Sequence, residues 1–345
     1  TSVVRKVLDG EESFDAELWK KIADMGWTAS VIPEEYDGLG LSYLELSVIS
    51  EELGRSLAPT PFSSSVYLAT EAILLAGTDE QKQRYLPRLA SGAIIGCFAL
   101  GEAAGQISPA TLRTVAVGET LTGEKIPVTD GDIADFAIVI AKSPNGPAAY
   151  IVDLDQSQIN REKIKTIDPS RSHARLTFNG CAAELLGGDG QGWSILDQVY
   201  NRAAVLFAWE QVGGAEMALN MAKEYAMERF AFGRPIATYQ AIKHKLANMY
   251  VKNTLAKSNC YYGAWALSVN APELPIAAAS ARVSAIQAYY FAAKENVQTH
   301  GGMGFTWEFD CQFPYRRSKL LATNIGSEAV WKEKLISAIE AERAA

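Results

Sequence analysis

The chain has 345 residues, 48% hydrophobic and 21% charged, with 40 acidic and 32 basic side chains for a formal charge of −8. That is enough apolar mass for a large core over two or three domains of about 150 residues each, and it excludes a disordered segment or a small disulfide-stapled scaffold. An acidic chain is a poor partner for nucleic acid or an anionic membrane, which need basic patches, and no run of about 18 uncharged apolar residues is present to span a bilayer.

In chain order, the first hundred residues read as helices. Phe14, Leu18, Ile22 and Met25 recur at three- and four-residue spacing, and Gly26 stops the run. Pro33–Gly40 is a polar loop. Ser42, with Glu45 as a capping-box partner, starts a helix that runs to about Leu57, and two more helices are predicted over 62–76 and 79–91. From about Ile94 short β-prone runs take over: Val115–Val117, Phe136–Ile140, Tyr150–Val152 and Leu176–Phe178. Turn signals at 129–132, 144–147 and Asn179-Gly180 separate them. Short strands without intervening helices predict an antiparallel barrel or sandwich. After the glycine-rich loop Gly187–Gly192 the chain reads as long helices with single apolar stripes: Ala215/Ala218/Leu219/Ala222/Ala226, Val283/Ile286/Tyr290/Ala293/Val297 and Trp331/Leu335/Ile339. Such helices form a bundle.

Most catalytic signatures are missing. There is no phosphate loop, HExxH or GxSxG, and the three histidines, His173, His244 and His300, are too scattered to suggest a metal site. The four cysteines include no CxxC pair, and Thr1–Lys6 lacks a signal-peptide core. The expectation is a cytoplasmic protein with reduced thiols and no metal. The loop 187–192 matches a dinucleotide fingerprint only loosely, is not inside a βαβ unit, and reads as a flexible domain junction.

Two segments carry more. Arg229-Phe230-Ala231-Phe232-Gly233-Arg234-Pro235, followed by Tyr239-Gln240, ends one helix and starts the next. An arginine leaving a helix beside free N–H groups can hold a pyrophosphate, although it also simply complements a helix C-terminus. In Gln298-Thr299-His300-Gly301-Gly302-Met303-Gly304-Phe305, three glycines in four residues let a backbone approach a ligand, or form a helix cap and tight turn.

With the helix–barrel–helix order, these segments resemble the acyl-CoA dehydrogenase family over essentially the whole chain. Leu18–Trp27 and Ile32–Gly40 are similar to its N-terminal signature, and Gly123-Glu124-Lys125 and Ala134-Asp135 to its β-domain landmarks. The implied fold is mainly α with a β-barrel middle domain (α+β): a helical domain over 1–93, a barrel over 94–187 and a four-helix bundle over 188–345. The implied cofactor is FAD, with Arg229, Phe232, Gln240, Gln298, Gly301 and Gly302 at its adenine–pyrophosphate end. The implied reaction takes hydrogens from Cα and Cβ of an acyl-CoA thioester. Electron-transfer flavoprotein is the implied acceptor.

That reaction needs a carboxylate base with a raised pKa. At the two positions where family members carry it, this chain has Ile325 and Ala203. The flavin-ring contacts depart as well: the barrel entrance reads Gly101-Glu102-Ala103-Ala104-Gly105-Gln106-Ile107-Ser108, and only Thr129 survives of the tryptophan–isoleucine–threonine stretch. The pattern is similar to the degenerate subunit of α2β2 acyl-CoA dehydrogenases of steroid side-chain degradation, in which a complete second subunit supplies ring site and base. The alternatives are a homo-oligomer with a relocated base, for which Glu210 is the candidate, and a flavin-free scaffold or regulatory homologue. Glu102 and Trp331 read as structural. Arg316, Arg317 and Lys319 read as a solvated face or a site for CoA phosphates.

Overall fold

The computed structural model describes residues 2–344 except Glu11, Ala104 and Gln106. Its helices are α1 (Ser2–Asp9), α2 (Ala16–Asp24), α3 (Tyr43–Ser56), α4 (Glu71–Ala76), α5 (Asp79–Ala90), α6 (Gly192–Glu228), α7 (Gln240–Ser268), α8 (Leu274–His300), α9 (Gln312–Leu321) and α10 (Glu328–Ala344). Its strands are β1 (Gly96–Ala99), β2 (Val115–Val117), β3 (Thr120–Thr129), β4 (Phe136–Ser143), β5 (Gly146–Asp153), β6 (Ile159–Lys163), β7 (His173–Ala182), β8 (Glu184–Leu186), β9 (Phe230–Ala231) and β10 (Arg234–Pro235). The chain forms two compact units: Arg5–Ser42 with Pro59–Ala203, and Tyr43–Ala58 with the residues up to Val4 and from Ala204 onward.

The first unit is built on an eight-stranded sheet in the order β6-β7-β3-β2-β4-β5-β8, with β1 also paired to β4. Among the described residues no pairing joins β6 to β8, so the barrel is not closed by hydrogen bonds. The sheet is mostly antiparallel, but β1 and β2 both run parallel to β4. This explains why β4 reads as an unbroken apolar run: Phe136 through Ala141 are at most 1% exposed, as in a strand covered on both faces. Asn179-Gly180 does not make the predicted turn. It lies inside β7, where the register against β3 shifts at Leu121/Thr122 and the extra residue is absorbed as an irregularity. The Gly187–Gly192 loop is tied down, because Asp189 accepts hydrogen bonds from the Ser143 hydroxyl and from Asn145 Nδ2 (2.5 Å) at the β4–β5 hairpin.

Helix α2 is capped by Asp15, whose side chain accepts from Leu18 N at 2.7 Å. It buries Trp19 and Ile22, whereas Met25, expected on the same face, is 62% exposed because the helix has already ended. The segment Ser63–Thr70 is π-helical and wholly buried. Its serines are fixed by polar contacts: Ser63 accepts from Arg171, Ser64 donates to Asp130, and Ser65 accepts from Gly96 N at 3.3 Å.

The second unit is a helical bundle in which α7 packs on α8 and α3, and α9 and α10 pack on α8. The buried face of α8 is rotated from the predicted stripe. Ile286 and Ala293 of that stripe are buried, but Val283 and Val297 are only half-buried and Tyr290 is 38% exposed, while Arg282, Ala285, Tyr289, Ala292 and Asn296 lie in the core, the arginine held there by hydrogen bonds. Helix α3 approaches α6 backbone to backbone: a Cβ on Gly54 would fall 1.9 Å from the Glu210 carbonyl oxygen. Gly54→Ala should therefore push the two helices apart and lower unfolding free energy by about 1–3 kcal/mol or more, read by equilibrium urea denaturation.

Candidate functional site

Helix α6 ends at Glu228, and Arg229 still donates its N–H to Tyr225 O at 2.8 Å. The chain then makes the tight hairpin β9–β10, with Phe232 and Gly233 both at positive φ. The Ile236 N–H donates to Arg229 O at 2.8 Å, and the Tyr239 hydroxyl donates to Ala231 O at 2.9 Å, which clips the hairpin to the start of α7. At the other wall α8 ends at His300, and Gly301 (φ 61°) turns the chain.

Between them lies a cleft of about 390 Å³ lined by Tyr225, Arg229, Ile236, His300, Gly301 and Gly302, among others. The Arg229 guanidinium has no carboxylate partner among the described residues. A Cβ on Gly301 or Gly302 would meet nothing within 4 Å, so the backbone there is open to close approach. His300 stacks on Tyr225 (centroids 4.2 Å, 26°) and meets Phe309 edge-on. Its Nδ1 lies 2.9 Å from Asn296 O, and a carbonyl can only accept, so Nδ1 carries a proton; in the neutral ring Nε2 then keeps its lone pair. Burial lowers the His300 pKa, which favours this neutral form. A lone guanidinium, exposed glycine backbone and a flat aromatic stack together suit an anion joined to a planar ring system. Phe232 (98% exposed), Gln240 and Gln298 lie outside the lining, on exposed surface. Sequence reasoning did not single out Tyr225 and His300. The available signal was Tyr225 four residues before Arg229 on one helix face.

The two base positions are both buried and apolar. Ala203 is fully buried in α6. Ile325 is 2% exposed, and the 1%-exposed Trp331 donates its Nε1–H to Ile325 O at 3.2 Å. Glu210 is 3% exposed, with Oε1 3.6 Å from Arg317 Nη1. Arg317 is therefore not on a solvated face; it is 1% exposed and donates to Leu57 O at 3.4 Å. Fully buried Arg282 completes the group. It donates to Gln211 Oε1 (2.6 Å), to Asn324 Oδ1 (2.8 Å) and to Leu321 O. Burial lowers the Arg282 pKa to about 9, against the pull of Glu210. Arg316 and Lys319 stay partly exposed, Arg316 over the Trp307 ring (5.5 Å) and Lys319 over that of Tyr290 (3.5 Å).

In the sheet unit, Glu102 is a structural clamp. It accepts from Arg113 N (2.6 Å), Thr114 N (3.0 Å) and Lys125 Nζ (2.7 Å). Its neighbours Ala104 and Gln106 lie outside the described residues. Burial lowers the Lys125 pKa to about 8, and Glu102 only partly offsets this. Thr129 Oγ1 lies 3.1 Å from His173 Nε2, and His173 Nδ1 lies 3.1 Å from Arg171 O. Nδ1 is the donor to that carbonyl, and burial lowers the His173 pKa and favours the neutral ring, whose Nε2 accepts from the Thr129 hydroxyl. Asp130 beside it is raised by burial, partly offset by Arg171 at 3.6 Å.

Two outcomes follow. Glu210→Gln leaves Arg317 and Arg282 buried without their counter-charge and should cost about 3 kcal/mol in urea unfolding; a base would instead show lost turnover at unchanged stability. For Lys125, the folded pKa of about 8 lies below the ordinary value of 10.5, so between these pH values the unfolded chain holds a proton that the folded chain has released. Its contribution to stability therefore rises with pH across that window. Melting curves from pH 7 to 10 should show the parent gaining on Lys125→Met.

Among the described residues no cluster of His, Cys, Asp or Glu could hold a metal, and no helix is long and apolar enough to cross a membrane. All four cysteines are buried and unpaired. Residues 3–93 match the family pattern described as acyl-CoA dehydrogenase, N-terminal domain, and residues 190–339 match that of acyl-CoA dehydrogenase, C-terminal domain. The acyl-CoA dehydrogenase IpdE2 of Mycobacterium tuberculosis is 32% identical over 92% of this chain and 85% of that protein. The steroid ACAD Tcur3481-Tcur3483 is 28% identical at a TM-score of 0.90, covering 99% of this chain and 93% of the other. The ChsE4-ChsE5 complex of M. tuberculosis is 27% identical at a TM-score of 0.87, covering 97% and 91%. The family is one of FAD-dependent oxidoreductases. By its sequence over both terminal domains and by its fold, this chain belongs to the acyl-CoA dehydrogenase family.

Proposed function

We propose that this chain is the FAD-clamping, non-catalytic subunit of a heteromeric acyl-CoA dehydrogenase. The observation that carries the reading is the filled base position: Ile325 is buried against Trp331, and no carboxylate stands there or at Ala203. Neither hydrocarbon side chain can take the acidic α-proton of a thioester, so that proton goes to a carboxylate of a second, complete subunit. The committed Thr129 hydroxyl and the Asp130–Arg171 contact fit the same division of labour.

The Arg229 cleft fits the adenine–pyrophosphate end of FAD, a dianion joined to a planar base. Arg229 would hold the pyrophosphate, Gly301 and Gly302 would let backbone approach it, and Phe232, Gln240 and Gln298 would complete the contact from the exposed rim. FAD, when bound, supplies the acceptor for the β-hydride. The protein's part here is to bind and orient one end of it. Glu210 has no free role as a base in this reading, since its carboxylate is spent on Arg317. The heteromeric relatives support a second acyl-CoA dehydrogenase-like subunit in an α2β2 assembly, and the steroid ACAD supports a steroid-derived acyl-CoA as substrate. Electron-transfer flavoprotein is the proposed acceptor.

Expressed alone, the chain should bind little FAD and dehydrogenate no acyl-CoA, and should turn yellow only when co-purified with its partner. In the assembled complex, Arg229→Ala should raise the FAD dissociation constant about 10- to 150-fold through loss of a charge-assisted phosphate contact, read by flavin fluorescence titration. Robust turnover by the isolated chain overturns the reading.

A further inference from the structure

The Arg229 cleft contains a hydrogen-bond acceptor that the fold leaves unused. His300 is only 6% exposed, yet it lines the cleft. Its Nδ1–H is given to Asn296 O, one turn back on α8, and burial favours the neutral ring, so Nε2 carries a lone pair and no hydrogen. The two nitrogens lie on different edges of the imidazole. With Nδ1 turned back to its own helix, Nε2 faces away from it. Among the described residues Nε2 has no donor: Tyr225 presents its ring face and Phe309 its ring edge. Polar atoms on side chains this deeply set are normally paired, and one that is not calls for a partner from outside the chain.

The other groups of the lining do different work. The Arg229 guanidinium can only donate, and Thr299 gives its hydroxyl hydrogen to Glu295 O at 2.7 Å. Ile236 and Met303 add apolar wall. A ligand in this cleft therefore meets a cation for its anionic end, apolar surface for a ring, and one fixed acceptor at His300. The acceptor is fixed because the stack on Tyr225 and the bond to Asn296 O hold the imidazole in a single orientation. The matching chemistry is a planar base with an N–H donor on its edge. Adenine has that donor in its exocyclic amino group. A site that bonds an N–H group discriminates against an analogue lacking it, because the site's own polar atom is then left unpaired.

We propose that His300 is the residue that selects adenine in this cleft, its Nε2 accepting a hydrogen bond from the exocyclic amino group of the base while Arg229 holds the diphosphate. The inference rests on the clamp reading of the cleft and adds to it the residue that reads the base. His300 moves no proton in this role; it serves as a positioned acceptor.

The test compares ADP with purine riboside diphosphate, which has the same ring and the same phosphates but a hydrogen in place of the amino group. ADP brings only the clamp end of FAD, so the full chain is titrated without a second subunit. Isothermal titration calorimetry at millimolar nucleotide should show ADP bound about 5- to 150-fold more tightly than the analogue. His300→Phe keeps a flat ring against Tyr225 and removes the lone pair, and should bind the two nucleotides equally. Arg229→Ala should weaken both by the same factor, since both carry the diphosphate. Equal binding of the two nucleotides by the parent overturns the role of His300, and the clamp reading then stands if Arg229→Ala still weakens both. Discrimination that survives in a folded His300→Phe chain also overturns it; should that variant fail to fold, the comparison on the parent alone decides. A parent that binds neither nucleotide, or an Arg229→Ala chain that binds both as the parent does, overturns the clamp reading and this inference with it.

Discussion

The bundle depends on burying two arginines, Arg282 and Arg317, at 0–1% exposure. A guanidinium away from water is tolerable only when its charge and its hydrogens are met. Here Glu210 and Gln211 of α6 meet them from one side, and Leu321 O at the end of α9 and Asn324 Oδ1 just beyond it from the other, leaving Arg282 Nε without a hydrogen bond. Asn324 Oδ1 also accepts from Ile325 N at 3.0 Å, so the same network fixes the turn that presents Ile325 to Trp331. The charges hold four parts of the second unit in register: α6, α8, α9 and the turn into α10. That is why a carboxylate in an apolar helix is a poor candidate for chemistry here: its partners are already inside.

The polar groups of the Arg229 cleft and those of the sheet unit differ in kind. At the Arg229 cleft the guanidinium has no carboxylate partner among the described residues, the glycine backbone is open and the His300 ring, its pKa lowered by burial, is stacked on Tyr225. These groups are in place but unspent. In the sheet unit Glu102 is met by Lys125 and two backbone N–H groups, Thr129 by His173, and Asp130 by Ser64 and Arg171. Satisfied groups rigidify a unit and leave little for a ligand. The contrast is between hydrogen-bonding capacity left open and capacity committed within the fold.

Much of this was legible in the residues. Periodicity marked the long helices, Gly26 marked a helix end, and short β-prone runs marked the sheet, because these signals act over a few residues and need no distant partner. The family resemblance rested on local motifs for the same reason, and the comparisons bear it out. Where single-stripe patterning misled, a distant contact had intervened. Asn179-Gly180 is a turn signal in isolation, but pairing with β3 keeps it within a strand. Met25 continues an apolar stripe in the sequence, but the helix stops before it. Arg317 looks like part of a solvated basic face until Glu210, more than a hundred residues earlier, is brought against it.

The sequence by itself determined the order of helices, sheet and bundle, the residues at the two base positions, and the glycines and arginine of the cleft. Each of these is a matter of residue identity or of spacing along one element. Only the tertiary structure decided that Ile325 is sealed beneath Trp331, that Glu210 is paired with Arg317, and that the Thr129 hydroxyl is hydrogen-bonded to His173. Hydrogen bonds and ion pairs are short-ranged and satisfied one to one. Which donor reaches which acceptor depends on how the elements pack, and no local pattern in the chain records it.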